Sequence, residues 1–249
     1  MALGAVAVRG TLVERRALGA STRAAMLDLM DRHFLGVTRA IFEDDLSGKD
    51  HAVLLTDATG GLRGFSTLAV ARARHGDESL RVVYSGDTVV DTSARNGPAL
   101  ASAWIDAVRV LCPPGEGSRV MWLLICSSVR TWRFLPVFFR EFHPRPGAEA
   151  PEPERELLCD LAAQRYGAAF DAGAGLVRLA HPQPVRPGVQ ACDGGEDAAW
   201  FAARNPGHAR GDELVCLCDL GDANLTAAGR RMVRAGERSR ALPAGGSAA

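Results

Sequence analysis

Three groups of side chains in this 249-residue chain have types and positions suited to chemistry. The first is a set of carboxylates: Asp87 inside a strand-like run, and Glu43-Asp44-Asp45 near the end of a helix-like segment. A strand carboxylate serves as a base near neutral pH only if burial lifts its pKa. Solvated or paired with an arginine, Asp87 is an ordinary acid. The 43–45 cluster either recognises a cationic group or is a solvated helix end. The second group is Asn205-Pro-Gly-His208, followed by Arg210-Gly-Asp-Glu213. The imidazole of His208 titrates near working pH and can act as a base or hold a carboxylate; otherwise the turn simply joins a helix to a strand. The third is the loop 91–97, between a strand and the start of a helix. Its unpaired backbone N–H groups and the helix dipole suit an anionic pyrophosphate.

Other chemistries find little support. The cysteines at 112, 126, 159, 192, 216 and 218 include no CxxC pair, and the histidines at 33, 51, 75, 143, 181 and 208 lack ligand spacing, so no metal is expected. Cys216 and Cys218 point to one face of a strand and read as small buried apolar residues. There is no Cys-His or Ser-His-Asp signature. Trp132, Phe134, Phe138, Phe139 and Phe142 either pack a core or wall an apolar tunnel, where each buried methylene contributes about 0.8 kcal/mol.

The elements that must position these groups follow from periodicity. Ser21-Thr22 cap a helix striped by Met26, Leu27, Met30, Phe34 and Val37, and a second helix covers 38–46. Strands follow at 51–56, 64–70 and 80–90, the first two joined by a glycine turn at 57–63. Leu100, Trp104, Val108 and Leu111 mark a helix that stops at Pro113-Pro114, and 120–126 is an apolar strand of the buried parallel kind. The crossover requires 80–90 and 120–126 to be parallel. A helix is expected near 135–142, then a proline-rich linker over 143–153. Beyond it lie helices at 154–170 and 196–204 and strands at 176–179 and 213–220. The order is that of an α+β protein.

In this setting the loop takes on a further meaning. Ala94-Arg95-Asn96-Gly97-Pro98-Ala99, after Thr88-Val89-Val90, resembles the acyl-CoA pyrophosphate loop of the GNAT acyltransferase superfamily: Gln or Arg, two residues, Gly, one residue, then Gly or Ala. Gly97 and Ala99 fill the small positions; Ala94 stands where Gln or Arg is usual, with Arg95 beside it. The resemblance implies a GNAT-like mixed central sheet with flanking helices and a C-terminal extension. It implies an acyl-CoA or acetyl-CoA donor held by 94–99 and by the strand edge at Thr88, Val89 and Val90. An acyl-carrier protein thioester is a further candidate donor. The acceptor implied is an amine of a small molecule, amino acid or peptide, attacked directly without an acyl-enzyme. Asp87, Glu43 and His208 are the candidate bases. The resemblance also implies a tyrosine on the helix after 120–126 to protonate the leaving thiolate; none stands there, which leaves Ser127, Ser128 or water. The alternative is a catalytically inactive GNAT-like protein that uses its clefts for binding or regulation.

Composition bounds these readings. With 29 basic and 29 acidic side chains the formal net charge is zero, which argues against a nucleic-acid partner. All the basic residues but Lys49 are arginine, so no lysine is available for a Walker-type loop. The longest apolar runs fall far short of the roughly 20 residues of a membrane span, no leader pattern is visible at the start, and a cytoplasmic setting is expected. The organisation expected is a core over 1–142, the linker at 143–153, a C-terminal part over 154–240 with closing strands and an insertion, and a tail at 241–249.

Overall fold

The computed structural model describes residues 7–94, 98–115, 117–189 and 194–241. The chain enters as a strand, β1 (Val8–Glu14), which the sequence reading missed because its inward residues alternate with Arg9, Thr11 and Glu14. Helix α1 (Ala20–His33) buries Met26, Leu29 and Met30. Helix α2 (Arg39–Ser47) is capped by Thr38, whose hydroxyl accepts from the Ile41 amide at 3.3 Å. A meander follows: β2 (His51–Asp57), β3 (Leu62–His75) and β4 (Glu78–Val90), antiparallel in sequence with β1. Helix α3 (Ala99–Leu111) then crosses over to β5 (Arg119–Cys126), parallel to β4 as required.

After β5 the structure departs from the single helix expected at 135–142. Two short helices form instead, α4 (Val129–Trp132) and α5 (Phe134–Phe138), and Phe142–His143 is a short strand, β6, paired with the last strand of the sheet. Trp132 is fully buried against Phe142, Trp200 and Phe201, and Pro136, which has no N–H to offer the Trp132 carbonyl, falls in the first turn of α5. The linker is also shorter than its prolines suggest. Helix α6 (Glu152–Tyr166) begins inside it, with Pro153 in the first turn, where the missing N–H costs nothing.

The remaining elements are β7 (Phe170–Asp171), β8 (Leu176–Val177), α7 (Glu196–Arg204), β9 (Glu213–Asp219) and α8 (Ala227–Ala241). The sheet order is β1-β2-β3-β4-β5-β9-β8-β7, with β6 on β9. Thus β9, from the C-terminal part, lies antiparallel against β5 and extends the same sheet. Helix α8 was not expected; it packs on α3, where Gly236 lets the Ser102 carbonyl approach closely.

The two faces of the sheet are covered differently. Odd-numbered residues of β2 (Val53, Leu55) share a core with α3, α8 and Trp132, while Ala52 and Leu54 pack under α1 and α2. Further along the α1/α2 face, Leu80, Val82 and Tyr84 of β4 lie under Leu157, Leu161 and Ala162 of α6. This alternation is the period-two signature of a strand with both faces buried. No described helix is long and apolar enough to cross a membrane.

Candidate active site

The central strands part at a defined point. The β4–β5 ladder runs from Leu80↔Arg119 to Ser85↔Leu124 and ends, although β4 continues to Val90. At the same level β4 carries one residue more than β3. Ser66 pairs with Thr88 and Leu68 with Ser85, which places a bulge at Gly86-Asp87. Bulges bend a strand and re-aim its side chains. Meanwhile β5, paired with β9 from Met121↔Asp219, keeps that ladder through Ile125↔Val215 and Cys126↔Leu214. Beyond Ser85 the β5-facing edge of β4 therefore borders open space.

That space is a cavity of about 620 Å³ lined from both faces of the sheet. On the α3 side it meets Leu100, Ala101, Thr131, Phe134, Val137 and Phe138; on the other it meets Phe34, Phe42, Asp45, Lys49, Arg165 and Tyr166. Asp87 and Thr88 stand where the two halves meet. The hydroxyl of Thr88 is shared with Ser66 at 2.8 Å, and Ser85 accepts from the Trp122 indole.

The carboxyl of Asp87 is pushed up to about 7. Burial is the main cause; the Asp45 carboxylate and a hydrogen bond with it add to the effect, and the Lys49 ammonium opposes it. Lys49, the chain's single lysine, is 6% exposed, with Nζ 2.6 Å from Asp45 Oδ2. Its place follows from local structure. Asp45 and Lys49 stand four residues apart at the end of α2, where side chains meet, and the Asp50 amide ties the next residue to the Leu68 carbonyl at 2.8 Å. The lysine stem crosses Gly86 so closely that a Cβ there would sit 2.3 Å from Lys49 Cε. Glu213, at the start of β9, is pushed up to about 8 by burial and by Asp87, while a hydrogen bond from Ser127 opposes the rise. Tyr166 of α6 is raised by burial, next to Arg165, Glu213, Tyr84 and Asp45.

The expected site residues fall in different places. Asp87 and Ser127 line the cavity, as do Thr88, Val89, Val90, Ala94 and Pro98. Glu43 does not line it; it is paired with Arg23 at 2.7 Å on the outer side of α2. His208 lies in the turn between α7 and β9 with its ring edge-on to Phe201, centroids 5.8 Å apart, and does not line the cavity either. The buried Asn205 holds that turn by donating to the Asp212 carbonyl at 2.7 Å. Ala99 opens α3 just outside the lining. Arg95, Asn96 and Gly97 lie outside the described residues. The loop's entry is described: Asp91 accepts from the Ser93 amide and hydroxyl at 2.9 and 2.8 Å, which starts the turn ending at Ala94.

Sequence reasoning missed Lys49, Tyr166 and Glu213 as members of one site. The isolation of Lys49 among arginines was a usable signal. Nothing local in the sequence places α6 and β9 beside α2. Cys126 also lines the cavity, and burial beside Cys216 pushes its thiol well up. A thiol held protonated is a poor nucleophile, which disfavours a covalent acyl-cysteine.

No protein-family model and no curated protein sequence matches the chain. Solved structures similar to it include a GNAT family N-acetyltransferase from Escherichia coli in complex with CoA, at 18% identity over 51% of this chain and 68% of that one, TM-score 0.38. A probable N-acyltransferase from Enterococcus faecalis matches at 12% identity over 55% of this chain and 33% of that one, TM-score 0.40. Glucosamine-6-phosphate N-acetyltransferase from Arabidopsis thaliana matches at 16% identity over 51% of this chain and 87% of that one, TM-score 0.37. The antiparallel meander, the β4–β5 pair that parts beyond Ser85, the crossover helix α3 and the antiparallel β9 make this an α+β chain with a mixed central sheet and flanking helices.

Proposed function

We propose that the chain is an N-acyltransferase that moves an acyl group from acyl-CoA to an amine. The observation that carries this reading is the cavity between β4 and β5, open to both faces of the sheet, with Asp87 at the junction. Two substrates entering from opposite faces can meet only there.

The donor half is suited to an extended thioester. The β4 edge past Ser85 offers backbone groups to the pantetheine amides, much as a strand edge takes another strand. The turn from Asp91 to Ala94 and the N-terminus of α3 at Ala99 lie on this side, and a helix N-terminus suits a diphosphate. Apolar Phe134, Val137 and Phe138 flank this half and leave room for an acyl group.

At the junction Asp87 takes a proton from the attacking ammonium or amine. A base with a pKa near 7 is matched to that task at neutral pH. The amine nitrogen then bonds to the thioester carbonyl carbon, the C–S bond breaks, and the leaving sulfur needs a proton. Ser127, hydrogen-bonded to Glu213, is placed to relay it, since a carboxyl with a pKa of about 8 still holds its proton at pH 7. Asp87 and Glu213 thus divide the base and acid roles through their different surroundings.

The test is release of free CoA thiol from acetyl-CoA and longer acyl-CoAs in the presence of a panel of primary amines. Amine-dependent release is expected. Donor binding without release from any pair would favour the non-catalytic alternative.

A further inference from the structure

The acceptor half of the cavity has a charge pattern that narrows the acceptor beyond "an amine". Lys49 is neutralised by Asp45 at 2.6 Å. Arg133 is paired with Asp197 at 3.0 Å, and Arg130 belongs to α4 on the opposite face of the sheet. Arg165, on α6, is different. Its guanidinium lies over the Tyr84 ring, 5.1 Å from the centroid, and donates to the Gly48 carbonyl at 3.3 Å. Among the described residues it meets no carboxylate, although it lines the same cavity as Asp87 and Glu213. The stacking on Tyr84 and the single bond to Gly48 orient the fork and leave donors for a further acceptor.

Resting on the acyltransferase reading above, we infer that the acceptor is an amino acid, its amine directed to Asp87 and its carboxylate held by Arg165. Segment 179–185 lines the same cavity with both apolar and polar side chains: Leu179 and Val185, joined by Phe34, are apolar, while His181 and Gln183 are polar, and Leu179 is 41% exposed. The segment that carries Leu179 and Val185 is pinned to the end of α1, with the Leu35 amide donating to Pro184 O at 2.9 Å and the Arg186 amide to His33 O at 2.8 Å. Phe34, Leu179 and Val185 can pack an aliphatic or aromatic side chain, with His181 and Gln183 at hand for a polar one. Arg165 is a specificity residue here; it does not take part in bond making.

Leucine and its decarboxylated analogue 3-methylbutylamine differ only in the carboxylate and provide the test. With acetyl-CoA as donor, leucine is expected to exceed the amine in kcat/KM by about ten- to a hundredfold, the range of a charge-assisted hydrogen-bonded pair. Arg165→Gln should shrink that preference to under about threefold through the KM for leucine, and Arg165→Lys should restore part of it. Calorimetry of the two compounds on the acetyl-CoA-saturated or free protein provides a readout that needs no turnover. Leucine binding that Arg165→Gln abolishes supports the inference even if no product forms, an outcome that would remove the acyltransferase reading alone. Equal binding and turnover of the two compounds, an undiminished preference in Arg165→Gln, or binding of neither would overturn it.

Discussion

Asp87 and Glu213 are acids whose surroundings resist ionisation, and both kinetics and stability should register it. If Asp87 is the base, kcat/KM should fall about tenfold per pH unit below a pKa near 7. Asp87→Asn should lower kcat/KM by about 10²–10⁴-fold and abolish that acid limb. A variant that keeps both would assign the base elsewhere. The stability effect has a definite sign. Each carboxyl has a folded-state pKa above its ordinary value, so between about pH 4 and 8 the folded protein binds more protons than the unfolded chain. Their contribution is therefore fully present below pH 4 and lost as pH rises through 7 and 8. Glu213→Gln removes one of these buried ionisations, and its melting temperature relative to the parent should rise between pH 5 and pH 8.5. Parallel melting curves across that range would contradict the buried state of Glu213.

Elements whose own periodicity specified them were legible in the sequence. Helix α3 is an example: Leu100, Trp104, Val108 and Leu111 marked its inner stripe, and Pro113-Pro114 its end. The parallel pairing of β4 and β5 followed from that crossover. Elements fixed by distant partners were not legible. β1 has few apolar residues but gains a full ladder from β2, and its Gly10 sits so close to α3 that a Cβ would reach Ala103 Cβ at 2.2 Å. The full burial of Trp132 depends on Trp200 and Phe201, almost 70 residues away in the chain. Helix α8 is strongly charged, and its buried Met232 and Val233 find their place where it packs on α3 and α5. That contact is testable. Gly236→Ala would put a Cβ 2.4 Å from the Ser102 carbonyl, so α8 must shift. A loss of about 1–3 kcal/mol is expected, seen as a drop of several degrees in melting temperature. Unchanged melting would mean that α8 does not dock there.

At the scale of the whole molecule, the site exists because one sheet is built from two parts of the chain. The first 126 residues supply the meander, the crossover and the parting strands. The C-terminal part supplies β9, which pairs with β5 through Cys126 and carries Glu213, and α6, which brings Arg165 and Tyr166 opposite α2. Local motifs revealed the strand carrying Asp87, the 43–45 cluster that contains its neighbour Asp45, and Ser127 at the end of β5, but not Lys49, whose ammonium opposes the rise at Asp87. Zero net charge remains compatible with a phosphate-bearing donor, because backbone N–H groups at a helix start can bind a diphosphate without a basic excess. The most direct measurement is a calorimetric titration of the whole chain with acetyl-CoA, paired with its melting temperature at saturation. Saturable binding near one donor per chain is predicted, with a stabilisation of about 2.7 kcal/mol at a hundred times the Kd. Absence of both heat and thermal stabilisation at millimolar acetyl-CoA would contradict a donor site between β4 and β5.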